Sequence, residues 1–98
     1  MKNILSKPTL IKFYEQHPDS KKALLSWYAT TKAADWKSLN DIKETFPFVS
    51  LLSDSRAVFN IKGNHYRIVV RINFNRQWVY IRFVGTHAEY DKIDANEI

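Results

Sequence analysis

Cysteine is absent from the chain, which excludes disulfide cross-links, thiolate nucleophiles and thiolate metal ligands. Glycine is almost as scarce, with Gly63 and Gly85 the only two among 98 residues. A glycine-rich loop cradling phosphates through backbone amides therefore cannot be built. No apolar run approaches a membrane span, and Met1-Lys2-Asn3-Ile4-Leu5 lacks the apolar core of a secretion signal. The expectation is a soluble, cytoplasmic protein with no membrane partner. No internal repeat, low-complexity tract or linker interrupts the sequence, so residues 1–98 are expected to form a single domain around one modest core. Acidic residues are in the minority, 10 against 15 Lys and Arg, which gives a net charge of +5. That balance favours an anionic partner without identifying it. What is plentiful is apolar, at 45% hydrophobic and 14% aromatic, the composition of a folded globule.

The three prolines punctuate the first half. A short edge strand is expected over Lys2–Ser6. Pro8 suits a first helical turn, so Thr9–Gln16 continues as a helix that His17-Pro18 closes. Asp19 is placed to N-cap a second helix running to about Ala34, with Ala23, Leu24, Trp27 and Tyr28 at helical spacing. Ser38, with Asp41 three residues on, opens a third helix whose stripe is Leu39, Ile42 and Phe46, until Pro47 stops it.

Beyond Pro47 the hydrophobic period becomes that of strands. Phe48–Leu52 reads as a short strand and Ser53–Arg56 as a loop. Strands follow over Ala57–Lys62, His65–Phe74 and Trp78–Val84, with turns at Gly63-Asn64 and Asn75-Arg76. A helical half followed by a strand half makes an α+β chain. The two turns fix a register. They pair Lys62 with His65, Asn60 with Arg67, Ile61 with Tyr66 and Phe59 with Ile68. They also pair Arg71 with Tyr80, Val69 with Arg82, Val70 with Ile81 and Ile72 with Val79. Polar residues thus meet polar ones almost throughout, an agreement that a one-residue slip would destroy. One face is greasy, with Tyr66, Ile68, Val70, Ile72 and Phe74. The other carries Asn60, Lys62, His65, Arg67, Arg71, Asn73, Trp78, Tyr80 and Arg82.

On that second face Arg67, Arg71 and Arg82 can fork onto phosphate oxygens, while Lys62 adds a point charge. Trp78 and Tyr80 can stack on unpaired bases. The plain alternative is a solvated face whose arginines pair with carboxylates, but these three strands place no Asp or Glu there. His17, beside Pro18, reads as structural, and His65, at a hairpin shoulder, as an RNA contact. His87 follows Gly85 and precedes Tyr90 by three residues. With several arginines nearby, those two side chains suit phosphoryl transfer by the 2′-hydroxyl of RNA, which needs a proton acceptor, a proton donor and cations for the charge on phosphorus. No metal-ligand spacing accompanies them. The competing class is a non-catalytic basic module that binds RNA or an acidic protein.

The stretch Val58-Phe59-Asn60-Ile61-Lys62-Gly63-Asn64-His65-Tyr66-Arg67-Ile68-Val69-Val70, together with Thr86-His87-Ala88-Glu89-Tyr90-Asp91 and Lys43-Glu44-Thr45-Phe46-Pro47, resembles the HigB-type toxins of bacterial type II toxin–antitoxin systems. These are a branch of the RelE-like mRNA interferases. The resemblance implies helices packed on one face of a small antiparallel sheet, with mRNA against the other. It implies binding to the ribosome and its 16S rRNA, cleavage of the codon in the A site by 2′-hydroxyl attack, and no metal or cofactor. Its partner would be a cognate helix-turn-helix antitoxin (HigA-like). Carried over residue by residue, Arg67 holds the scissile phosphate and Tyr90 orients or activates the attacking hydroxyl. Where RelE has a second arginine after the strand-ending glycine, this chain has Thr86-His87, which gives His87 an acid–base or phosphate-contact role. Lys62, Arg71 and Lys92 stand approximately where flanking basic residues are expected.

Overall fold

The computed structural model describes residues 1–98. In chain order its elements are β1 (Asn3–Leu5), α1 (Lys7–Gln16), a 3-10 turn (Pro18–Ser20), α2 (Lys21–Ala33), α3 (Leu39–Thr45), β2 (Ser50–Leu52), β3 (Arg56–Ile61), β4 (Tyr66–Asn73), β5 (Trp78–Thr86) and α4 (His87–Tyr90). The strands form one sheet in the order β1-β5-β4-β3-β2. All neighbours are antiparallel except β1, which lies parallel to β5. The α+β class and the helical first half agree with the sequence pattern. No helix is long and apolar enough to cross a membrane.

Alternation along the strands sends one set of side chains under the helices. Ala57, Phe59 and Ile61 of β3, Tyr66, Ile68, Val70 and Ile72 of β4, and Val79 and Ile81 of β5 join Leu10, Phe13, Leu24, Trp27, Trp36 and Ile42 in the main core. Phe59 sits at its aromatic centre, 5.0 Å from the Phe46 ring and 5.4 Å from that of Trp27. Gln77, a residue the sequence pattern did not single out, ties the N-terminal strand to the β4–β5 turn. Its side-chain amide donates to the carbonyls of Trp36 and Phe74, and its own carbonyl accepts from the amides of Lys2 and Asn3.

The expected pairs Asn60–Arg67, Ile61–Tyr66, Phe59–Ile68, Arg71–Tyr80, Val70–Ile81 and Ile72–Val79 are all present. Three expectations are corrected. Asp19 does not cap α2: it lies in the 3-10 turn, and its carboxylate reaches the sheet instead. Lys62 and His65 are not a strand pair. The left-handed backbone falls at Lys62 and Gly63, one residue earlier than foreseen, so 62–65 form a four-residue loop. Val69 faces Phe83 rather than Arg82, because a β-bulge opposite Val69 and Val70 makes Arg82 the extra residue. The bulge resets the alternation of β5. Trp78 and Tyr80 point away from the helices before it, and Phe83 and Gly85 do so after it.

The resulting front face is less uniformly cationic than alternation alone suggests. Val58, Val69 and Phe83 form an apolar row across it, and Ile93, Ala95 and Ile98 pack over that row as a second, smaller core. The last residues of the chain therefore separate two polar regions that the sequence reading had merged.

Candidate catalytic and RNA-facing site

The first polar region centres on Arg67. Its neighbours across the sheet are Asn60 on β3 and Gly85 on β5. The guanidinium lies over the Tyr90 ring, with Cζ 4.7 Å from the centroid, and Nη2 donates to Asn64 Oδ1 at 3.0 Å. Its Nε is buried without an acceptor. No carboxylate pairs with it and no main-chain oxygen accepts from it, unlike Arg71, Arg56 and Arg82. Arg71 pairs with Asp54 at 3.1 Å, while Arg56 and Arg82 both donate to the main-chain oxygen of Ile98. Arg67 thus combines a rigid aromatic support, one neutral hydrogen bond and an uncompensated charge, the state in which a cation accepts an incoming anion at least loss of prior partners.

Tyr90 reaches this region, with His87 three residues before it on the same helix, because the chain turns into α4 directly after β5. The turn is a capping box. Thr86 Oγ1 accepts from the Glu89 amide at 3.1 Å, and Glu89 Oε1 accepts from the Thr86 amide at 2.8 Å. The backbone amide of Thr86 holds the Glu89 carboxyl below its usual range. A second clamp joins α4 to the hairpin, since the His87 amide donates to the His65 carbonyl. The His87 imidazole lies with Nδ1 3.2 Å from Asp91 Oδ2, so its charged neighbour is a carboxylate and not an arginine. Lys92 is exposed just past α4, its amide bonded to the Glu89 carbonyl.

Gly85 lets Arg67 and α4 share this space. A Cβ there would overlap the Cζ of Phe83, lie 2.9 Å from its Cε2 and stand 3.2 Å from Glu89 Oε1. Gly85→Ala is accordingly expected to push the Phe83 ring off the Val58–Val69 row and to strain the capping box. The expected destabilisation is about 1–3 kcal/mol, read as a lower urea midpoint at unchanged slope.

The remaining residues expected at the site divide. Asn60 and His65 are exposed within the Arg67 region. Lys62 is not on this face. Its ammonium turns to the helical side and pairs with Asp19 at 2.8 Å, while Tyr66, a core-face residue, donates to the other oxygen of that carboxylate at 2.6 Å. These two bonds, that from Lys62 foremost, hold the Asp19 carboxyl at about 2 against an ordinary 3.8, and the same contact pushes the Tyr66 hydroxyl up. A depressed folded-state value means stability that is complete above the unfolded value and disappears as pH falls through the folded one. Asp19→Asn should therefore be less stable than the parent near neutrality, and the two should converge between pH 3.8 and about 2 in urea melts followed across pH.

Arg71, Asn73, Trp78, Tyr80 and Arg82 make up the second region. Arg71, Asn73, Tyr80 and Arg82 border a cleft of about 510 Å³ together with Asp54. Trp78 and Tyr80 meet edge to face at 6.2 Å, and Arg76, not foreseen in this role, lies over Trp78 at 5.0 Å. Arg71 is four residues from Arg67 along β4, about 13 Å at the usual rise. The second region can therefore hold a flanking stretch of an extended ligand, but its side chains do not touch the groups at Arg67. Asn64, Asp91 and the Thr86–Glu89 pair were missed in the sequence as site builders. Thr86-x-x-Glu89 was visible as a capping-box spacing, whereas the Asn64 and Asp91 contacts depend on the folded turn and helix. No group of three or more His, Asp and Glu side chains converges on a possible ion site.

Residues 20–93 match a family described as HigB toxin, the RelE-like toxic component of a toxin–antitoxin system. The chain is 35% identical over 83 residues to the mRNA interferase toxin HigB of Escherichia coli K12, covering 83% of this chain and 80% of the relative. Against the mRNA interferase HigB of Escherichia coli O6:H1, identity is 27% over 93 residues, with 93% and 90% covered.

Proposed function

The chain belongs to the HigB family of RelE-like toxins, and on that footing we propose that it is an endoribonuclease that halts translation by cutting mRNA on the ribosome. The observation that carries this reading is Arg67, whose guanidinium has no acidic or main-chain acceptor and is stacked on Tyr90, a residue of the same short helix as His87. In the proposed reaction the 2′-oxygen of one nucleotide bonds to the adjoining phosphorus, and the bond from phosphorus to the 5′-oxygen of the next nucleotide breaks. The products end in a 2′,3′-cyclic phosphate and a 5′-hydroxyl. No metal or cofactor takes part.

Arg67 holds the phosphate and neutralises the charge that accumulates on its oxygens, an electrostatic role that is effective because the guanidinium is already fixed by Asn64 and Tyr90. His87, with Nδ1 turned to Asp91, leaves Nε2 open to take the 2′-hydroxyl proton or return one to the leaving 5′-oxygen. Tyr90 orients the attacking hydroxyl, and Lys92 adds a flanking cation. Arg71, Trp78, Tyr80 and Arg82 receive neighbouring nucleotides or 16S rRNA. A helix-turn-helix antitoxin neutralises the protein.

Induced expression without an antitoxin tests the reading. Growth is expected to stop, with new mRNA 5′ ends inside translated frames, and the purified protein is expected to cut message on programmed ribosomes and not as naked RNA. Arrest with intact message would make the protein a non-catalytic binding module instead.

A further inference from the structure

Phe48 is 86% exposed, whereas the next most exposed large apolar residue, Leu25, is at 38%. Phe48 stands at the mouth of a cleft of about 520 Å³ floored by Phe46, Val49 and Phe59 and rimmed by the amide side chains of Asn60 and Asn64. That volume lies within the roughly 300–1,000 Å³ typical of small-ligand sites. The floor is rigid, since Phe59 is buried at 2% exposure and packs edge-on to Phe46 at 5.0 Å. Gly63 leaves its side open, with nothing within 4 Å of where a Cβ would be.

The cleft adjoins the Arg67 site. The β2–β3 ladder ends at Ser50 opposite Val58, and just before it a turn closed by the Val49 amide on the Phe46 carbonyl holds Phe48 past the end of the strand. Asn60 is paired with Arg67, and Arg67 with Gly85. Asn60, which lines the cleft, therefore stands one strand spacing, about 5 Å, from Arg67. Asn64 joins the two places directly, lining the cleft while accepting from Arg67.

We infer that this cleft holds a single unpaired nucleobase of the RNA whose phosphate rests on Arg67, with Phe48 as stacking partner and Asn60 and Asn64 as readers of its edge. The inference rests on the endoribonuclease reading and adds to it the element that selects where a message is cut. A nucleobase is the occupant that fits these surroundings. It has an apolar face for Phe48, and an edge of donors and acceptors that carboxamides, carrying both, can match. A phosphate bound at Arg67 also delivers its own nucleotide to within reach of the cleft.

The test is a titration of the isotope-labelled protein with nucleoside 3′- and 5′-monophosphates, followed at the side-chain amides of Asn60 and Asn64 and the ring of Phe48, with ribose 5-phosphate as the baseless control. All three residues are expected to respond to at least one nucleotide and not to ribose 5-phosphate. Phe48→Ala should weaken that nucleotide about tenfold, and Phe48→Trp should restore it. On programmed ribosomes, Phe48→Ala should also flatten the base preference at the cut. Equal responses to ribose 5-phosphate, or unchanged nucleotide affinity in Phe48→Ala, would overturn the inference. Unchanged affinity with lost neutralisation by the antitoxin would assign the cleft to a protein partner. Because the titration involves no cleavage, nucleotide binding by a protein that cuts nothing would count against the endoribonuclease reading and leave the cleft standing.

Discussion

Replacing Arg67 with alanine is expected to give a folded protein that cleaves message ~10²–10³-fold more slowly. Arg67 is half-buried on the front face and outside both apolar clusters, so its loss opens no core cavity. The cost falls on the transition state, where a fixed guanidinium loses to water the task of balancing new negative charge. Arg67→Lys separates charge from geometry. It keeps the cation but gives up the fork and the flat stack on Tyr90, and should recover only part of the rate. Single-turnover cleavage on programmed ribosomes, with binding measured separately, distinguishes a loss of chemistry from a loss of affinity.

His87→Gln is expected to slow cleavage by about 10²–10⁴-fold while leaving ribosome binding intact, because glutamine keeps a polar side chain but cannot exchange a proton near neutrality. Asp91→Asn should lose less. It retains a partner for Nδ1 at the same position, yet no longer favours the tautomer that leaves Nε2 free. Tyr90→Phe keeps the ring beneath Arg67 and removes only the hydroxyl, so its deficit measures what that oxygen contributes beyond supporting the guanidinium. Wild-type cleavage by His87→Gln would make His87 structural and transfer the proton chemistry to Tyr90 or Lys92.

The sheet could be read in the sequence because its pleat has a period of two and its hairpins are tight. Once Ile61 was set against Tyr66, the pairing of Asn60 with Arg67 followed. The bulge at Arg82 was not legible in the same way. Trp78 to Arg82 alternates cleanly, and only the adjacent apolar pair Phe83-Val84 hints that the faces exchange. Asp19 and Asp54, which occupy Lys62 and Arg71, come from turns distant in sequence, and charge pairing of that kind leaves no local pattern. Counting acids on the strands alone therefore overstated how many cations stand free. The helix that presents His87 and Tyr90 did have a local signal in Thr86 and Glu89. The cover of Ile93, Ala95 and Ile98 over the front face had none, since three apolar residues without helical or strand spacing read as a tail.

A message carrying 2′-deoxyribose at the nucleotide before the cut tests most directly the claim that this site cleaves RNA through the RNA's own hydroxyl. On programmed ribosomes the all-ribose message is predicted to be cut to a 2′,3′-cyclic phosphate and a 5′-hydroxyl, and the deoxy message to remain whole at that position. Continued cutting of the deoxy message there, or products bearing a 5′-phosphate, would show that water is the nucleophile and contradict the roles assigned to Arg67, His87 and Tyr90.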